Sequence, residues 1–153
     1  MTPEQLVMVR ETAAKLEDAG EDFARRFYGC LFELHPPARV RFSRGLRQGG
    51  AFLDELLFLA TAAGDLPVFV QRARELGRRQ QGSGVQTTDY AFLGEALLHA
   101  AREVAGDDWT PEVADSWRRL FALVSETMLE GAAAGLFRSR GAAQGCPPGR
   151  PGG

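Results

Sequence analysis

Apolar residues return every three to four positions along most of this chain, and helix-starting and helix-stopping residues divide that pattern into segments. Thr2-Pro3-Glu4-Gln5 reads as an N-cap, a proline at the first helical position and a capping-box glutamine. The spacing predicts a helix to about Asp18, with Leu6, Val9, Ala13 and Leu16 on its inner face. Gly20 breaks it. A second helix is expected from Glu21 to Leu34, with Phe23, Phe27, Leu31 and Leu34 on one stripe. His35-Pro36-Pro37 stops that helix, and Pro37 opens a short helical turn ending near Phe42.

Ser43 to Gly50 reads as a polar connection, after which Ala51 to Ala63 is densely apolar up to Gly64-Asp65. Leu66-Pro67 starts a helix carrying Val70, Ala73 and Leu76, and Gly82-Ser83-Gly84 ends it. Thr87 or Thr88 is expected to cap the next, with Phe92, Leu93, Ala96, Leu97, Ala100 and Val104 inside. After the break at Gly106-Asp107-Asp108, Thr110-Pro111-Glu112 opens a long last helix with Val113, Trp117, Leu120, Phe121, Val124 and Met128 towards the core. No segment alternates like a strand, and no repeat stands out. The expectation is an all-α domain over 1–138, followed by a disordered Pro/Gly/Arg tail over 139–153.

At 153 residues and 44% hydrophobic, the chain suits one domain with one core. A net charge of −2 does not point to nucleic acid or to an anionic membrane. The first residues lack the basic and apolar regions of a secretory signal, and no run approaches a membrane span. A cytoplasmic protein is therefore expected. Cys30 and Cys146 are read as free thiols, since a bond between them would tie a core helix to the tail. No Cys/His cluster, nucleophile elbow or phosphate loop is present.

The order of several short motifs resembles the globin domain of bacterial flavohaemoglobins. Phe27-Tyr28, Leu31-Phe32, Pro36 and Phe42 are similar to the family's second and third helices, and Asp65-Leu66-Pro67 to a helix break. Glu75-Leu76-Gly77-Arg78-Arg79 resembles the run before the proximal histidine. Gly84-Val85, Tyr90 and Gly94-Glu95-Ala96-Leu97-Leu98 resemble the stretch after that histidine. Trp117 fits the last helix. The likeness covers about residues 3 to 137 and implies six to eight helices around a haem-type pocket. It places Tyr28 and Gln48 at the distal ligand pair, Phe42 against the haem face, and Phe52, Leu56, Tyr90 and Leu97 in the lining.

At the proximal position, where the family has histidine, this chain has Gln80. Ser83 replaces a usual aromatic, and Ala132 stands where the family has a glutamate, with Glu130 close by. An imidazole is a good donor to haem iron, whereas an amide offers only a neutral carbonyl oxygen. His35 reads as a solvated helix cap and His99 as an edge residue, so neither replaces the missing ligand. Arg44, Arg47, Arg78 and Arg79 are solvated or meet haem propionates. The resemblance thus implies haem b, weakly held at Gln80, with O2 or NO as ligands. Nitric oxide dioxygenation would then need a separate reductase, because no flavin domain follows. The alternative is a haem-free globin fold serving as a sensor or interaction module.

Overall fold

The computed structural model describes residues 1–47 and 51–144. Helix α1 (Pro3–Ala19) begins as its sequence dictates, with Thr2 and Gln5 exchanging both capping-box hydrogen bonds. Helices α2 (Glu21–Leu34), α3 (Ala38–Arg47), α4 (Ala51–Ala62), α5 (Leu66–Gly82) and α6 (Asp89–Ala105) come next. A 3-10 turn at Gly106–Asp108 leads to α7 (Pro111–Gln144). Among the described residues no strand occurs.

Two helix boundaries and the burial of Leu34 differ from expectation. Helix α3 does not stop near Phe42 but runs to Arg47, because Arg44, Leu46 and Arg47 favour helix and no proline intervenes. Helix α7 continues through 139–144, beyond Ser139, while 145–153 lie outside the described residues. Leu34, assigned to the inner stripe of α2, is exposed at the helix end.

One buried cluster runs through all seven helices: Val9, Leu16, Phe23, Phe27, Leu31, Phe42, Phe52, Leu59, Phe69, Leu97, Trp117 and Met128 all belong to it. Trp117, Phe27, Phe42 and Phe52 are each 6% exposed or less, whereas Phe92 and Phe121, also expected inside, are only partly buried. The α5–α7 interface is the most extensive, followed by that of α2 with α6. Helices α5 and α7 run antiparallel and touch backbone to backbone. A Cβ on Gly77 would overlap the Met128 carbonyl, and one on Gly131 would overlap that of Arg74. Neither neighbour can give way, since each is the main chain of the opposing helix.

Gly77→Ala and Gly131→Ala should therefore each destabilise the protein by about 3 kcal/mol through overpacking. Gly29, an exposed position in α2 with open space around it, provides the control. Gly29→Ala should stabilise by about 0.5–1 kcal/mol by removing backbone freedom from the unfolded chain. Denaturant midpoints of the three variants check this. Equal stability of Gly77→Ala and wild type would refute the close contact.

Candidate functional site

Tyr28 lies one position after Phe27 on the inner face of α2 and is 0% exposed. The Phe27 ring meets it edge-on at 5.0 Å, and the Phe32 ring lies 5.9 Å away. Its hydroxyl is buried and has no hydrogen-bond partner among the described residues. Leaving such a group unpaired costs about 1–3 kcal/mol. Burial, with a smaller contribution from the Asp54 carboxylate, pushes the hydroxyl up to about 12, and Tyr28 is a neutral phenol at pH 7. Trp117 Nε1, Ser125 Oγ and one Glu55 oxygen are also buried without partners among the described residues.

The lining residues named from the sequence that the structure describes are buried in the same core cluster as Tyr28, apart from Gln80. Phe42 from α3 and Phe52 from α4 are in contact, with ring centroids 5.8 Å apart. Leu56, Tyr90 and Leu97 are buried in the same cluster. Gln80 is half-buried near the end of α5, and its backbone carbonyl accepts the N–H groups of Ser83 and Val85, which closes the helix. Gln48 lies outside the described residues, as do the side chains of Arg44 and Arg47. Ser83 is exposed and donates its hydroxyl to the Arg79 carbonyl. Glu130 is drawn to Arg74 at 3.1 Å on the surface. Arg78 and Arg79 approach Glu75 and Glu55 at 3.9 and 3.8 Å.

The structure adds an ionic cluster that sequence reasoning missed. Asp89, at the start of α6, is 0% exposed. Its two oxygens accept from Arg41 Nε at 2.7 Å and from the Arg41 guanidinium again at 2.6 Å, a bidentate pair. They also accept from the Gln86 backbone N–H at 2.8 Å and lie 2.9 Å from His35 Nε2. An ionised carboxylate can only accept, so that imidazole nitrogen carries the proton. His35 is therefore not the solvated cap expected of it. Its backbone does cap α2, but its ring is half-buried and stacked at 4.3 Å on Phe92. His99 sits at an exposed edge, as expected, paired with Glu103.

The cluster decides how the α5–α6 connection is held. Thr88 precedes α6 but makes no capping bond with its side chain. Asp89 secures the turn instead, through the Gln86 amide. Burial alone would raise the Asp89 carboxyl. The hydrogen bonds from Arg41, Gln86 and His35, with the Arg41 charge, outweigh it and hold the carboxyl below its usual value. No signal in the sequence could have paired these residues, because Arg41 and His35 lie 48 and 54 positions away from Asp89.

Three kinds of comparison agree on what this arrangement is similar to. A protein-family model described as Globin matches residues 25–128. A flavohemoprotein of Bordetella pertussis is 29% identical over 134 residues, covering 84% of this chain and 33% of the relative. A flavohemoprotein of Bacillus subtilis is 22% identical over 126 residues, covering 80% and 32%. The chain thus spans about a third of the length of these relatives. Among solved structures, a hexacoordinated haem protein from an anhydrobiotic tardigrade superposes with a TM-score of 0.79 at 13% identity, over 87% of this chain and 96% of that one. An engineered carbene transferase from Rhodothermus marinus gives 0.69 at 22% identity, over 88% and 94%.

Asp89 has a lowered carboxyl, so its contribution to stability is fully present above the unfolded value near pH 4. It is lost as the pH falls through the lower folded value. Asp89→Asn should cost about 3 kcal/mol at pH 7, because it leaves Arg41 without its buried counter-charge. It should also flatten the acid limb of the stability profile. Urea denaturation from pH 7 to pH 3 reads both effects, and a variant with the same acid limb as wild type would contradict the assignment.

Proposed function

Since this chain belongs to the globin family, we propose that it is a haem-binding globin in which the proximal ligand position is held by Gln80. The observation that carries this reading is the Tyr28 hydroxyl, buried beside Phe27 and Phe32 in an apolar cluster and without a partner among the described residues. A porphyrin needs an apolar enclosure with a few directed polar atoms. Phe42, Phe52, Leu56 and Leu97 supply the apolar part, and Tyr28 a directed polar atom. The lining therefore fits haem, and the donor set is what departs from the family. Gln80 offers a neutral amide oxygen where an imidazole would bind iron well, so haem is held less tightly.

Haem, when bound, would supply the iron chemistry of O2 and NO. The protein's own part is to exclude water and to present the Tyr28 hydroxyl to whatever occupies the pocket. Gln48 is its proposed companion. Nitric oxide dioxygenation by such a haem would draw its electrons from a reductase, as the likeness to flavohemoproteins suggests. The second reading, a haem-free sensor or interaction module, is favoured by one observation alone, the amide at position 80.

A titration of the purified chain with ferric haem, followed in the Soret band, separates the two readings. Saturation at one haem per chain is expected, with transfer to apomyoglobin faster than from Gln80→His. The variant should hold haem at least about tenfold more tightly, the scale on which metal sites respond to losing even an outer-shell partner. Absence of saturable binding in both proteins would discard the haem reading in favour of the haem-free module.

A further inference from the structure

A cleft of about 1020 Å³ runs along the outside of the contact between α5 and α7. The meeting of main chains at Gly77 and Gly131 shapes it, because the short side chains of α7 leave a trough beside the longer ones of α5. Leu66, Pro67 and Val70 form one wall at the start of α5, and Ala133 and Ala134 form the other. Of these only Val70 is half-buried. The rest are exposed, Leu66 at 59% of its surface. Single exposed apolar side chains are ordinary, but several lining one groove mark a binding surface. Beyond the apolar end the walls carry Arg74, Glu75 and Arg78 from α5 and Glu130 from α7. Arg74 reaches Glu130 at 3.1 Å and Arg78 approaches Glu75 at 3.9 Å, and all four side chains are about half exposed.

We propose that this face is where two copies of the chain associate about a two-fold axis. The inference needs no haem and stands apart from the reading above. A two-fold contact uses the same patch on both copies, so the patch must complement itself. This one carries two arginines and two glutamates, whereas a patch of one sign would repel its own image. Within one chain α5 and α7 are antiparallel, with Arg74 level with Gly131. When α5 of one copy lies along α7 of the other in that same register, Val70 covers the second copy's Ala134. Arg74 then comes opposite the second copy's Glu130. Symmetry makes both contacts twice. A net charge of −2 adds little long-range repulsion between copies.

A small molecule fits the cleft less well. Such a ligand is oriented by polar groups held inside its pocket, and the polar side chains here all stand open to water. The size of the face sets the strength expected. From Leu66 to Arg78 it extends about 18 Å along α5, and two helices make it about 20 Å wide. The footprint is on the order of 400 Å² per copy, half the roughly 800 Å² per partner of a standard interface. Association should therefore be weak and depend on concentration across the micromolar range.

Sedimentation of the full-length chain under reducing conditions, over a series from micromolar to millimolar, tests this. The mass should rise towards that of two chains. Leu66→Asp should weaken association at least about tenfold, because it places an unpaired charge in the contact. Leu66 is exposed, so the variant should keep the helical circular dichroism of wild type. Val40→Asp, at an 85% exposed site on α3, should leave association unchanged. Arg74→Glu and Glu130→Arg should each be monomeric alone, since each sets like charges opposite one another at positions 74 and 130. Mixed together, the two variants should form a dimer, because acidic pairs then meet basic ones. Ion pairing inside one chain cannot produce that result. A wild type that stays monomeric at every concentration would overturn the proposal and leave the cleft to a different protein. A dimer that Leu66→Asp does not weaken, or a charge-reversed mixture that fails to associate, would overturn it as well.

Discussion

The backbone contact between α5 and α7 is the constraint on which the rest of the architecture depends. Two glycines, Gly77 and Gly131, let the main chains meet with no side chain between them. That sets where α5 lies, and Gln80 comes after Gly77 by less than one helical turn. The end of α5 therefore has little freedom to move relative to α7.

Much of the fold could be read from the chain because its signals are local. Thr2, Pro3 and Gln5 cap α1 within one turn. Gly20 and Gly106 end helices beside which they sit, and Val9, Leu16, Phe27 and Trp117 return at helical spacing. Each of these acts over a few residues, which is the range a sequence pattern reports. The continuation of α3 to Arg47 is not legible in the same way, because ordinary polar residues neither start nor stop a helix with force. Leu34 departs from its stripe because apolar character alone does not say whether a neighbouring helix covers that turn.

The candidate site is legible more unevenly. Phe42, Phe52, Tyr90 and Leu97 are where apolar and aromatic periodicity would put them, inside. That Tyr28 lacks a partner among the described residues could not be read, since satisfaction of a hydroxyl depends on what other helices bring near it. Asp89 is the clearer case. A carboxylate beside two threonines reads as a surface cap, and only the tertiary arrangement of α2, α3 and α6 turns it into a buried centre. Long-range polar pairing has no period, so no scan of one chain exposes it.

The same contrast between buried and exposed charge sets how the molecule answers to ionic strength. Lys15–Asp108, Arg26–Glu103 and Arg74–Glu130 join separate elements, but all lie open to water. At 1 M salt the screening length shrinks to about 3 Å, and attraction across such pairs all but vanishes. Asp89 has no accessible surface, and ions cannot enter between it and Arg41. Brine would thus dissolve the outer ties between helices and spare the inner one. The junction of α2, α3 and α6 would keep its geometry while α1 lost its link to the turn before α7.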